Sequence, residues 1–201
     1  MRLAIFLLLL LAAPMPVGNT HAAAETKKFQ VGETLPPAKA AGGSRKGYQE
    51  IGWSALIPEG WNPAKAFKEI NFDRLKDGDP RAMEVLTQMK GIWDAAPVET
   101  AWNGQRIRIA GFAVPLERNR EWVTEFLLVP YFGACIHTPP PPANQIIHVF
   151  LAKPGRKMQT FDTLWVGGVL ETTHSRTENE MGIGNAGYRM KAESVEPYAK
   201  R

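Results

Sequence analysis

The carboxyl-terminal half of the chain is dominated by short segments in which apolar and polar residues alternate. Arg106 and Arg108 alternate with Ile107 and Ile109, and this period of two is typical of a strand with one buried face. The pattern predicts a mainly β fold with minor α, either a small five-stranded bent sheet or an OB-like barrel. A flatter meander and a small sandwich are the alternatives. The five strands are predicted over residues 105–116, 122–131, 145–153, 163–173 and 187–195.

One or two helices are predicted ahead of these strands. The stronger one spans residues 79–90, with Asp79 as its cap, Pro80 in its first turn and Gly91 as its stop. Met83, Leu86 and Met89 recur at helical spacing, so we expect an apolar face that contributes to the core. A second, short helix is predicted near residues 62–63, where asparagine precedes proline.

The amino terminus predicts export. Arg2 precedes an uninterrupted apolar run over residues 3–13, and the small residues Ala22 and Ala24 follow. This order is that of a cleaved secretory signal peptide over residues 1–24, and the apolar run is shorter than the roughly 20 residues that span a bilayer. An uncleaved membrane anchor is the alternative. We therefore expect a mature protein in the periplasm, without a transmembrane segment.

Composition predicts how the mature chain is organised. Residues 25–47 are rich in lysine, proline, alanine and glycine, which predicts a flexible leader, and residues 48–198 are long enough for a single β-rich domain. Within the start of that domain, Trp53, Leu56, Ile57 and Trp61 are the expected anchors of an irregular arm. The formal net charge is +4 and the charges are interspersed, so nucleic acid is not expected as a partner.

The lone cysteine, Cys135, is the first chemical clue. An exported chain with one cysteine cannot form an internal disulfide, so the thiol is expected to be buried, paired between chains, reactive or bound to a metal. His137 follows after one residue, and in an extended segment both side chains point to the same face. Four prolines at residues 139–142 come directly after and favour a stiff, extended course. A thiolate and an imidazole held in this way could share a cation.

The remaining histidines could complete a metal site. His148 lies in the third predicted strand and His174 just past the fourth, so Cys135, His137, His148 and His174 together would form a set of one sulfur and three nitrogens. Such a set suits tetrahedral zinc and would also accept copper. Asn144 and Gln145 are candidates for hydrogen bonds that orient an imidazole. Glu171 and Asp162 are alternative oxygen ligands, and a structural role for each histidine, with an inert buried thiol, is the plain alternative.

The segment around the cysteine is also similar to a known family signature. Residues 126–145 (FLLVPYFGACIHTPPPPANQ) resemble the bacterial family known as domain of unknown function 3299, and residues 53–58, 111–117 and 186–189 fit the same family. The resemblance implies a periplasmic protein, often encoded near an ABC transporter linked to metal supply. It transfers only Cys135 and His137 as motif positions. It therefore implies a metal-handling accessory protein, with zinc the favoured metal and transporter components as partners.

Two further functions remain open from the residues alone. Cys135 could be a nucleophile with His137 or His148 as its base, although the chain has no recognisable oxyanion-hole motif and adjacent strand residues rarely reach the needed alignment. Alternatively, the proline run and the aromatic arm could make the chain a non-catalytic interaction module of an envelope transport complex. A binding protein is the first expectation, and an enzyme is the less favoured one.

Overall fold

The structure is a computed structural model that describes residues 29–36, 44–45, 47–63, 65, 80–119, 122–134, 140–152, 157–176 and 185–198. The signal peptide predicted over residues 1–24 lies outside this part, as do Cys135 and His137. Within the described part, no helix has the length and apolarity that crossing a bilayer requires.

Five strands close into a barrel. They are β3 (Arg106–Asn119), β4 (Trp122–Val129), β5 (Ile147–Leu151), β6 (Thr163–Arg176) and β7 (Asn185–Pro197). The order around the barrel is β3-β4-β5-β7-β6, and β6 pairs with β3 to close it. All these pairs are antiparallel except β5 with β7. The prediction of an OB-like barrel is confirmed, and the flat sheet is not.

Closure depends on the length of β3 and on a glycine pair. The 14-residue β3 pairs with β6 over its first half and with β4 over its second half, and the two ladders meet at Phe112. The glycine pair Gly167–Gly168 in β6 predicts a bend or a bulge, and the register of β6 with β7 shifts between the two residues. A Cβ at Gly168 would lie 2.3 Å from the carbonyl oxygen of Lys191, so this close crossing requires glycine.

The strands divide their apolar residues between two clusters, one inside the barrel and one on its outer face. The inner cluster includes Ile107, Ile109, Leu128 and Tyr188, all of them fully buried. Burial of each large apolar side chain is worth about 1.5–3 kcal/mol, so the alternation of β3 and β4 stabilises the closed barrel. The outer cluster comprises Phe112, Val114, Leu127, Val129, Ala134, Ile146 and Ala186.

Part of the predicted leader covers the outer cluster. Phe29 and Leu35 pack against it, and the ring of Phe29 lies edge-on to that of Phe112 with centroids 5.0 Å apart. The backbone N–H of Phe132 donates to the carbonyl of Glu33 at 2.9 Å. The described residues 29–36, which belong to the leader expected over residues 25–47, therefore pack on the barrel.

The arm that precedes the barrel is anchored through tryptophan. Strand β1 (Ser44–Arg45) pairs with β2 (Tyr48–Glu50), which runs parallel to β3, and a 3-10 turn follows over Trp53–Leu56. Leu56 is fully buried, and Nε1 of Trp53 donates to the carbonyl of Ala110 at 2.7 Å. Ile57 and Trp61, the other expected anchors, are partly buried.

Helix α1 (Pro80–Asp94) is longer and more exposed than its sequence predicts. The stop expected at Gly91 is wrong, because a glycine ends a helix when its φ is positive and Gly91 has no such φ. None of the residues of α1 is buried, and Met83 and Leu86 are among the most exposed large apolar residues of the described chain. The expected core-facing stripe therefore does not extend to these two side chains.

Candidate functional site

Buried residues flank the segment of Cys135 and His137 on both sides. Ala134, the residue before Cys135, is fully buried in the outer cluster. Pro141 and Asn144, on the other side, are also buried. Cys135 and His137 themselves lie in residues 135–139, outside the described part.

His148 lies in β5, as predicted, and its side chain points away from the inner cluster. Its Nε2 lies 3.0 Å from Oε2 of Glu125 on the neighbouring strand β4. Its ring packs on that of Phe150, with centroids 4.1 Å apart. Coordination of a metal through Nε2 would therefore require the contact with Glu125 to open.

His174 lies inside β6 and not just past it, because the strand continues to Arg176. Its side chain is outside the described part. Strand β7 lies between the strand of His148 and the strand of His174. Neighbouring strands are about 4.8 Å apart, so these two strands are separated by roughly 10 Å across the sheet. Among the described side chains, no group of three or more metal-ligating residues is found.

The two alternative oxygen ligands already have protein partners. Oε2 of Glu171 accepts a 2.5 Å hydrogen bond from Nε of Arg189. Oδ2 of Asp162 accepts from the backbone N–H of Gln159 at 2.9 Å, which closes a local turn. Neither contact brings these carboxylates to a described histidine.

Asn144 and Gln145 form a 3-10 turn (Ala143–Gln145) that ties the proline run to the arm. Nδ2 of Asn144 donates to the carbonyl of Pro97 at 2.9 Å, and Nε2 of Gln145 donates to the carbonyl of Trp53 at 3.0 Å. Asn144 is fully buried, yet its Oδ1 has no hydrogen-bond partner among the described residues. Such an orphan acceptor is costly when it is buried.

A groove of about 450 Å³ lies beside this turn, and we call it the Trp53–Trp165 groove. It forms where β3 passes from its pairing with β2, which ends at Arg108, to its pairing with β4, which begins at Phe112. Its lining residues are Thr34, Leu35, Pro36, Ile51, Gly52, Trp53, Ser54, Ala110, Pro130, Tyr131, Pro141, Pro142, Gln145 and Trp165.

The groove brings together segments that are far apart in the sequence. Trp53 comes from the arm, Tyr131 and Pro141 flank the segment that contains Cys135, and Trp165 projects from β6. The sequence predicts the arm and the stiff proline run, but it does not predict the groove. A signal was present, because Trp165 precedes the core residue Val166 and so falls on the outward face of an alternating strand.

Two buried tyrosines of the described chain, Tyr48 and Tyr188, have a raised pKa. Burial raises the pKa of Tyr188 to about 12, although the N–H donated by Glu99 opposes the shift. Its hydroxyl donates to the carbonyl of Leu56 at 2.8 Å and accepts from Glu99 N–H at 2.6 Å. Burial also raises the pKa of Tyr48, and its hydrogen bond to Glu193 adds to the effect. Both hydroxyl groups are therefore protonated at neutral pH and form hydrogen bonds within the fold.

Comparison with known proteins identifies relatives but no activity. The model of the family DUF3299, described as protein of unknown function, matches residues 53–197. A crystal structure of a DUF3299 family protein from Pseudomonas aeruginosa PAO1 is 35% identical, covers 77% of this chain and 98% of that chain, and superposes with a TM-score of 0.56. The OBody AM3L09 bound to hen egg-white lysozyme is 12% identical, covers 51% of this chain and 89% of that chain, and has a TM-score of 0.31. No curated protein matches the chain.

Proposed function

The chain belongs to the DUF3299 family, and we propose that it is a periplasmic metal-handling accessory protein that binds zinc through Cys135 and His137. Copper is the alternative metal. The proposal makes the chain a binding protein and not an enzyme, and it gives the chain a role in assisting a transporter, for which ABC transporter components are the expected partners.

The donor chemistry supports this proposal. Thiolate and imidazole are the ligands that structural zinc sites use most, and the same pair accepts copper. Ala134 is buried on one side of the segment and Pro141 on the other, so both ends are anchored in the protein. Anchored ends lower the entropy that the segment loses when its two donors hold a cation.

The observation that carries the proposal is the buried Oδ1 of Asn144, which no residue in the described part of the chain satisfies. The bond from Nδ2 to the carbonyl of Pro97 sets the orientation of this amide, so Oδ1 is left as an acceptor. Metal-bound imidazoles nearly always donate their second ring N–H to such an acceptor, which sets the tautomer and strengthens the ligand. Asn144 is therefore the group we assign to orienting an imidazole of the site.

His148 and His174 remain candidates for the other two ligands. His148 is engaged with Glu125 and Phe150, so its recruitment would break contacts that already stabilise the barrel. We therefore rank Cys135 and His137 above it. Water or a partner's side chain could fill the remaining positions, as in zinc sites that keep an open position.

Metal analysis of the purified mature protein tests the proposal. After dialysis against zinc, wild type should retain one zinc per chain, and cobalt should give thiolate-to-metal charge-transfer absorption. Cys135→Ser and His137→Ala should lower zinc affinity at least tenfold, and Cys135→Ser should abolish the charge-transfer band. His148→Gln measures the contribution of a candidate ligand outside the motif, and it should lower zinc affinity less than His137→Ala does. Equal, weak zinc binding by wild type and Cys135→Ser would refute the proposal.

The groove favours a second candidate, a non-catalytic interaction module of an envelope transport complex. A concave surface of about 450 Å³ with aromatic lining is a common form of binding site. Co-purification with membrane components that persists in Cys135→Ser and His137→Ala would support this candidate over metal handling. Co-purification that depends on zinc and on Cys135 would support the first proposal.

A further inference from the structure

We propose that residues 29–36 form a strap that holds the backbone leading into Cys135, and that opening of this strap raises the reactivity of the thiol and lowers its affinity for zinc. The inference rests on the proposed function, because it adds a means of regulating the same site. The strap packs on the outer cluster, which also contains Ala134, the residue directly before Cys135.

The strap has a defined shape of its own. Its residues 30–33 form a turn in which the N–H of Glu33 donates to the carbonyl of Gln30 at 2.9 Å. In return, Oε2 of Glu33 accepts from the N–H of Gln30 at 3.1 Å. Gly32 has a φ of +85°, which a glycine adopts without strain. The turn is therefore fixed locally, which lowers the entropy that the strap loses when it packs on the barrel.

The strap pairs with the backbone that leads into the proposed zinc motif. The N–H of Gly32 donates to the carbonyl of Phe132 at 2.8 Å, and the N–H of Phe132 donates to the carbonyl of Glu33 at 2.9 Å. An antiparallel bridge between Thr34 and Tyr131 extends this pairing. Both backbone groups of Phe132 are thus held by the strap, three residues before the thiol.

Side chains of the strap contact the same segment. The ring of Phe29 lies edge-on to that of Phe112, and its centroid is 6.1 Å from that of Phe132. Gly133 is buried and has a φ of +85°, and a Cβ added to it would lie 3.1 Å from Cγ1 of Val31. Val31 therefore lies directly against the glycine that is two residues before the thiol. Opening of the strap would remove the contacts of both Phe132 and Gly133 with it.

The strap is shallow enough to open while the barrel stays folded. Among its residues, Phe29, Glu33 and Leu35 are partly buried, and the other five are exposed. The barrel strands, in contrast, contribute many fully buried side chains to the two clusters. Segments with few buried contacts open locally at a lower free energy than the whole fold requires.

The closed strap should favour zinc binding. When it is closed, residues 131–134 keep one course, so the donors of Cys135 and His137 lose less entropy on holding a cation. When it is open, the same residues are freer and the thiol is more accessible. Because coupling between two sites is reciprocal, bound zinc should in turn favour the closed strap.

Variants of the strap test the inference in the mature protein. Phe29→Ala removes the contact with Phe112, and Gly32→Ala strains the turn because the φ of this residue is positive. In metal-free protein, each should raise the rate of Cys135 alkylation by iodoacetamide at least fivefold. Each should also lower zinc affinity at least fivefold. Circular dichroism checks that the variants fold.

Two matched controls lie outside the strap. Trp122→Ala removes a large aromatic side chain that is 44% exposed. Gly60→Ala strains a glycine whose φ of +80° lies in a turn of the arm. Both should keep the alkylation rate and the zinc affinity within twofold of wild type.

Hydrogen exchange of the wild type tests the strap without any substitution. The amides of Gly32 and Phe132 make the hydrogen bonds between the strap and the barrel. They should exchange at least tenfold faster than the ladder amides between β3 and β4, because the strap opens first. Zinc should slow their exchange.

Three results would overturn the inference. They are exchange of the strap amides as slow as that of the barrel ladder, strap variants whose alkylation rate stays within twofold of wild type, and controls that change as much as the strap variants. Absence of zinc binding by wild type would overturn the proposed function. The alkylation rates of the metal-free proteins would still decide whether the strap holds the segment of Cys135.

Discussion

Nδ2 of Asn144 donates a 2.9 Å hydrogen bond to the carbonyl of Pro97, and Oδ1 of the same amide is buried with no partner within the ranges that the structure describes. Asn144→Ala should destabilise the fold by about 1–3 kcal/mol, because the carbonyl of Pro97 loses its donor. It should also weaken zinc binding by about tenfold, since an orienting group is lost. Urea denaturation and zinc titration measure the two effects. Unchanged zinc affinity in a folded variant would contradict the role assigned to Asn144.

Arg108 is the cation that links the arm to the last strand. It is nearly buried, pairs with Glu50 on β2 and Glu196 on β7, and stacks on Trp165. Arg108→Met should lower the free energy of unfolding by about 2–3 kcal/mol, because the two partly buried carboxylates lose this cation. Arg106→Met is the control, because Arg106 pairs with Glu193 on an exposed surface. This substitution should lower the free energy of unfolding by less than about 1 kcal/mol. Equal costs in urea denaturation would contradict this account.

Tyr188 should make the barrel sensitive to alkali. Its pKa is raised by burial to about 12, against about 10 in the unfolded chain. The resulting stability is fully present below pH 10 and is lost as the pH rises from 10 through 12, a loss of about 2 kcal/mol. Tyr188→Phe should be less stable at neutral pH and should lose less stability over this window. Denaturation at several pH values, with tyrosinate absorbance as the readout, measures both effects. Equal pH dependence in the two proteins would contradict the assignment.

Two glycines should respond to alanine in opposite directions. A Cβ at Gly91 meets nothing within 4 Å, and the residue lies inside α1, so Gly91→Ala should stabilise the protein by about 0.5–1 kcal/mol. Gly168→Ala should destabilise it by several kcal/mol, because its Cβ would overlap the carbonyl of Lys191. Thermal melts compare the two. A destabilising Gly91→Ala would indicate that the helix does end there.

Local patterns predicted the barrel well. The alternation at Arg106–Ile109 predicted β3, and the glycine pair at residues 167–168 predicted the bulge of β6, because both depend on neighbouring residues. The predicted start of β5 was two residues early, since residues 143–145 turn to make contacts with Pro97 and Trp53. The stop at Gly91 failed because a glycine permits a helix end without enforcing one.

The candidate site was less predictable. The orienting pair Asn144 and Gln145 was named from its position beside the proline run, but its partners lie 47 and 92 residues away in sequence. The engagement of His148 with Glu125 also required knowledge of which strands are neighbours. The spacing of residues along the sequence does not show which of these distant groups come into contact.

The sequence by itself determined the strands, the motif of Cys135 and His137 and the family, because each is written in adjacent residues. Only the tertiary structure decided that the barrel closes through β3 and β6, that Asn144 keeps a buried acceptor, and that Trp53 and Trp165 line one groove. The physical reason is that each of these features is a contact between distant segments, and such contacts form only when the whole apolar core is buried together.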